Sequence, residues 1–255
     1  MRTGLLGWLM VGVVIAIASI PASAAAQAPT VAYLYDHDTA SRDQVATMLW
    51  SAGFDVWTVP MADAETFPFA TVDVIIIGWD TAAGATWGTP AAVANLVASG
   101  RSIIGISSGG SKFFSEVGEL YMSWGNCGTG YGTDLIVEDP DHEVWRYPDA
   151  LPIDPADDSV TFYTVTAYGD VLWLFPAAPQ VICLATVDYS PDYCLLTVEL
   201  WSGRLALLWS YWSEPTNLTD AGRDLFVNVV WHAVAWRFVD NLETGDLSFW
   251  SSAAP

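Results

Sequence analysis

Residues 72–77 (VDVIII) form a nearly continuous apolar run, the pattern of a central parallel strand covered on both faces. The neighbouring sequence carries the rest of such a sheet. Residues 31–35 (VAYLY) read as a buried strand ended by Asp36-His37-Asp38-Thr39. Val45, Met48, Leu49 and Ala52 then recur at helical spacing, with Gly53 placed as a C-terminal cap. Residues 54–59 (FDVWTV) alternate like a strand. Thr89-Pro90 opens a second helix with a capping residue and a proline at its first position. Val93, Leu96 and Val97 give it an apolar face, and Gly100 closes it. Residues 101–107 (RSIIGIS) return as a strand and run into Gly109-Gly110. This order predicts a doubly wound parallel sheet.

From about residue 134 strands outnumber helices. The candidates are 134–137 (DLIV), 159–166 (SVTFYTVT), 180–186 (QVICLAT), 194–201 (CLLTVELW) and 204–210 (RLALLWS). Acidic, proline-rich turns separate them, and Ser202-Gly203 joins the last pair. A final helix starts at Thr219, with Leu225, Phe226, Val229, Val230 and Ala233 on one side.

The N-terminus has a different character. Met1-Arg2 is a short positive segment, residues 4–20 are apolar, and Pro21 with the small residues Ala22 to Ala26 follows. This is the pattern of a secretory signal peptide over 1–26, cleaved after Ala24 or Ala26, with a secreted or periplasmic product of bacterial type. The expected organisation is one α/β domain over 27–238 and a flexible C-terminal tail over 239–255.

Lys and Arg number 8 against 29 Asp and Glu, a net charge of -21. Nucleic acid and anionic membranes would repel such a surface, so neither is an expected partner, and no membrane contact is expected after signal cleavage. The 53% hydrophobic content argues for a packed core rather than disorder. Of the three cysteines, Cys183 and Cys194 flank a turn and are a possible disulfide in an exported chain, which leaves Cys127 over. No Cys/His spacing suggests a metal, and no cofactor is implied.

Three stretches carry a resemblance. Gly105-Ile106-Ser107-Ser108-Gly109-Gly110 follows a strand and resembles the G-x-C-x-G nucleophile turn of class I glutamine amidotransferases, with Ser107 at the cysteine position. Asp139-Pro140-Asp141-His142-Glu143-Val144 is similar to the "DPDHPI" stretch of trehalose-utilisation-like (ThuA-like) domains of the same superfamily, Glu143 replacing the proline. Leu205 to Trp231 looks like the last strand and helix of secreted amidotransferase-like domains. The resemblance spans roughly residues 30–238. It implies a flavodoxin-like, mostly parallel sheet with additional β-strands in the C-terminal half.

A strand-to-helix elbow exposes a side chain at the carboxyl edge of a sheet and leaves N–H groups free for an oxyanion. Ser107 is thus a candidate nucleophile, His142 its base, Asp141 the group orienting the base, and Ser108 and Gly109 the oxyanion donors. Glutaminase activity is not expected, because the thiolate and the family's H-x-E pair are missing. A serine hydrolase acting on a peptide, amide or ester bond is one expectation. A non-catalytic binding or structural module is the leading one, its partner a small molecule, a glycan or a protein.

His37 between Asp36 and Asp38 lies just past the first strand, where ligand sites gather in open parallel sheets. Asp36, His37, Ser107 and Trp79 are therefore expected around one crevice, unless the 36–38 segment is only a solvated loop. A carbohydrate-related domain would need exposed rings among Trp79, Trp87, Trp124 and Trp145. His232, amid apolar helix positions, is expected to be packed. Asp154, Asp157 and Asp158 match no calcium loop and read as acidic turns.

Overall fold

The computed structural model describes residues 27–123, 127–173, 181–187 and 190–243. The expected signal peptide lies outside them, as do Trp124 and residues 244–255. The N-terminal half builds β1 (Thr30–Tyr35), α1 (Thr39–Ser51), β2 (Asp55–Pro60), β3 (Val74–Ile77), α2 (Pro90–Ala98), β4 (Ser102–Ile106) and α3 (Ser107–Val117). Then follow β5 (Cys127–Gly132), β6 (Asp134–Val137), β7 (Ser159–Thr161), β8 (Ala167–Trp173), β9 (Val181–Val187), β10 (Ser190–Trp201), β11 (Arg204–Trp209), β12 (Tyr211–Trp212) and α4 (Asp220–Glu243).

One sheet runs in the order β2-β1-β3-β4-β11-β10-β9-β6-β7. Its first five strands pair in parallel and form the doubly wound unit. The later strands are antiparallel additions, and β8 leaves the main path to pair with β10, β12 and β5. Alternate residues of the parallel strands divide two cores. Val31, Tyr33, Ile76 and Ile104 pack with Val45 and Leu49 of α1 and Leu225, Phe226 and Val229 of α4. Ala32, Leu34, Ile75 and Ile103 face Leu96 of α2 and Phe113 and Phe114 of α3. Helices on both faces explain why β3 is buried along its whole length.

Local signals terminate these elements where the side chains can do it. Thr89 caps α2 by accepting the Ala92 N–H at 3.1 Å, and Asp38 caps α1 through Ser41 at 3.0 Å. Ser202 and Gly203 both adopt left-handed φ, 49° and 79°, which suits the two-residue turn of the β10–β11 hairpin. Cys183 on β9 and Cys194 on β10 form a disulfide.

Three departures from the sequence pattern have physical reasons. The strand expected over 159–166 stops at Thr161, and Tyr163 makes only an isolated bridge to Leu218, because the chain here turns to meet the start of α4. α4 runs to Glu243, into the segment expected as tail, since after Gly222 no glycine or proline occurs before Gly245. β5 and β8 carry no strand signal of their own, yet pair with each other from Cys127–Leu172 to Gly132–Ala167.

Candidate functional site

The elbow forms where β4 ends. Ser107 takes φ of 45°, in the left-handed region, and swings the chain from the sheet into α3. The first turn of α3 fits because Gly109 has no side chain. A Cβ there would lie 2.0 Å from the Gly78 carbonyl oxygen at the end of β3. Ser108 and Gly109 stand in that turn, where helical N–H groups lack intrahelical partners.

Ser107 itself is only 4% exposed. Gly169 of β8 passes directly over it: a Cβ on Gly169 would be 2.6 Å from Ser107 Oγ and 2.2 Å from the Ser210 carbonyl oxygen. Ser210 follows β11, is fully buried, and its hydroxyl finds no hydrogen-bond partner. The roof over the serine is therefore backbone, Gly169 with the Ser210 carbonyl beside it. Among the described residues no histidine or carboxylate is hydrogen-bonded to Ser107.

Among the described residues no hydrogen bond or ring contact joins His142 to Ser107, and the strands that precede them, β6 and β4, are four steps apart in the strand order. His142 instead precedes the 3-10 turn Glu143–Trp145, and its Nδ1 accepts the Val144 N–H at 3.3 Å. Its ring meets that of His232 on α4 edge-on at 4.9 Å. Burial, and then the neighbouring His232, hold the His142 imidazole below its ordinary pKa, against the pull of Asp139 and Glu143. Asp141 does not orient this ring; its carboxylate meets Arg146 Nη2 at 2.7 Å on the surface.

Asn228, missed in the sequence, and Glu143 organise this loop. Asn228 of α4, fully buried, donates to the carbonyls of Val144 (2.9 Å) and Asp149 (2.7 Å), and accepts the Asp149 N–H at 3.2 Å. Glu143 Oε1 lies 2.5 Å from His232 Nδ1. An asparagine among valines at 227, 229 and 230 was the one available signal.

Asp36, His37 and Trp79 do come together, at the carboxyl ends of β1 and β3 where the strand order reverses. His37 Nδ1 is 3.3 Å from Asp36 Oδ2, and its ring centroid is 6.4 Å from that of Trp79. Trp79 donates its Nε1–H to Asp38 Oδ2 at 3.0 Å and lies near-parallel to Trp212, with 6.5 Å between centroids. Burial opposes the charge on Asp38, but hydrogen bonds from Ser41 and Trp79 and the nearby His37 outweigh it and keep its pKa below the usual value.

Beneath this surface sits Asp80, which sequence reasoning passed over. Its Oδ2 accepts three consecutive backbone N–H groups, from Asp36 (3.0 Å), His37 (2.8 Å) and Asp38 (2.7 Å). Its Oδ1 is buried without a partner. Burial, with Asp80 and Asp38 close by, pushes the Tyr33 phenol far above its ordinary pKa, so that hydroxyl stays protonated.

Of the other expected rings, Trp87 and Trp145 are core residues, each 1% exposed, and Trp79 is half-buried. Asp154 and Asp157 accept the N–H groups of Ala156 and Ser159, so these carboxylates close turns. Among the described residues no group of three or more His, Cys, Asp or Glu is placed to hold a metal ion, and no helix is long and apolar enough to cross a membrane.

The sequence matches no protein-family profile and no curated protein. Solved structures do resemble it. A ThuA-like protein from Bacteroides uniformis ATCC 8492 superposes with a TM-score of 0.52 at 15% identity, covering 84% of this chain and 95% of that one. A GMP synthase protein from Thermoplasma acidophilum gives 0.51 at 13% identity, over 84% of this chain and 98% of that one. PurLQS from Thermotoga maritima gives 0.52 at 13% identity, over 80% and 99%. At such identities the likeness is one of architecture: the chain has the α/β fold of the class I glutamine amidotransferase-like superfamily, ThuA-like proteins included.

Proposed function

We propose that this chain is an exported amidotransferase-like domain that binds a ligand or partner and performs no acyl transfer at its elbow. The observation that carries the reading is the roof over Ser107, where Gly169 leaves no space for so much as a methyl group. A serine nucleophile needs a positioned base and an approach for substrate. Here His142 is engaged with Val144 and edge-on to His232, and Asp141 is paired with Arg146. The binding surface in this reading is the Asp36–His37–Trp79 crevice at the strand-order reversal, braced from below by Asp80. Export is supported by the signal-like N-terminus and by the Cys183–Cys194 disulfide, which persists in oxidising compartments.

The left-handed φ of Ser107 favours a second reading, a serine hydrolase, since a strained elbow is where such nucleophiles sit. A broad fluorophosphonate probe separates the two. The mature protein and its Ser107→Ala variant are treated and the adducts mapped by mass spectrometry. The binding reading expects no adduct on Ser107 in folded protein. An adduct that Ser107→Ala removes makes the chain a hydrolase.

A further inference from the structure

On the α4 side of the sheet, away from the elbow, a cavity of about 290 Å³ opens between the 143–147 segment and α4. Glu143, Tyr147, Trp231, His232 and Ala235 line it. Its volume is at the small end of ligand pockets. The His232 side chain is 8% exposed, and its Nδ1 faces the Glu143 carboxylate at 2.5 Å. A carboxylate accepts only, so Nδ1 carries the hydrogen of that bond, and in the uncharged ring the lone pair is then on Nε2. That nitrogen has no hydrogen-bond partner among the described residues. His232 lines the cavity, so this nitrogen can accept a hydrogen bond from a bound donor.

The rest of the lining specifies what kind of donor. Glu143 is 63% exposed at the mouth, with its second oxygen available beyond the bond to His232. Tyr147 and Trp231 add aromatic faces, and Trp231 is held from behind by Phe54, 4.7 Å between ring centroids. Arg146, the cation of this loop, is engaged by Asp141 and the Pro140 carbonyl. An anion would meet Glu143 and a chain of net charge -21. A neutral alcohol satisfies His232 but leaves the carboxylate and the aromatic quadrupoles uncompensated. An ammonium group answers all three, since it donates three hydrogens, carries the opposite charge and sits favourably over aromatic rings.

We propose that this cavity binds a small organic ammonium ion, its N–H groups shared between His232 Nε2 and Glu143 and its apolar body against Trp231 and Tyr147. The site is separate from the crevice beside Asp80 and does not depend on what Ser107 does.

The test is calorimetric titration of the mature protein with phenethylammonium chloride, compared with 2-phenylethanol and 3-phenylpropionate. Glu143→Gln removes the charge yet keeps an acceptor for His232 Nδ1, and Ala235→Met fills the cavity without altering charge. The expected result is saturable binding of the ammonium ion, at least tenfold weaker for the alcohol and undetectable for the carboxylate. Glu143→Gln weakens it at least tenfold and Ala235→Met abolishes it, in variants whose circular dichroism matches the parent. The proposal is overturned by absence of saturable binding, by equal affinity for the alcohol, or by binding that either variant leaves unchanged.

Discussion

A methyl group on Gly169 would stand 2.6 Å from the Oγ of Ser107, so the backbone of β8 closes over the elbow at van der Waals distance. This contact joins the doubly wound half of the sheet to the β5–β8–β12 addition, and it makes the elbow part of the core.

Gly169→Ala forces β8 away from both Ser107 Oγ and the Ser210 carbonyl. The expected cost is about 2 kcal/mol of stability, the usual scale for overpacking a rigid site. Ser107→Gly acts in the opposite direction: it relieves a left-handed φ that costs a non-glycine residue about 1 kcal/mol, so it leaves stability unchanged or raises it. Urea denaturation of both variants checks the pair. Gly169→Ala with parental stability would mean that the roof yields easily.

Asp80→Ala leaves three N–H groups, those of Asp36, His37 and Asp38, without their common acceptor. Loss of about 3 kcal/mol is expected, because unsatisfied partners of a buried charged group are costly. Asp80→Asn retains one acceptor oxygen and loses less. Urea midpoints order the three proteins, and amide hydrogen exchange at residues 36–38 accelerates in Asp80→Ala if the bracing is as described.

The His142 imidazole is neutral in the folded protein at a pH where it is already protonated in the unfolded chain, because burial and His232 depress its pKa below 6.5. The unfolded state thus binds more protons over the window from about 6.5 down to the depressed value. Its contribution to stability is present above that window and is lost as pH falls through it. Denaturation midpoints at pH 7.5 and pH 5.0 should show a drop that His142→Gln diminishes. An identical drop in the variant assigns it to other groups.

The doubly wound half was legible in the sequence because its determinants are local. The apolar residues 74–77 declare a strand covered on both faces, Thr89-Pro90 and Gly100 bracket α2, and Gly53 ends α1 with φ of 90°. α3 was harder to read, since Ser107-Ser108-Gly109-Gly110 has poor helix propensity and is helical because only glycine lets it dock on β3. β5, with glycine at 128, 130 and 132, is a strand through its pairing with β8.

At the sites, the sequence by itself determined which residues leave the carboxyl ends of the strands: Asp36 and His37 after β1, Trp79 after β3, Ser107 after β4. It also determined that Ser107, not a cysteine, occupies the elbow. Only the tertiary structure decided that Ser107 lies under Gly169, that Asp80 gathers the 36–38 backbone, that Asp141 pairs with Arg146 and that Glu143 pairs with His232. Strand and helix boundaries follow from periodicities and caps within a few residues along the chain. Each of these contacts joins residues distant in sequence, and its partner is selected by strand order and by which face of the sheet a helix covers, information that no single segment holds.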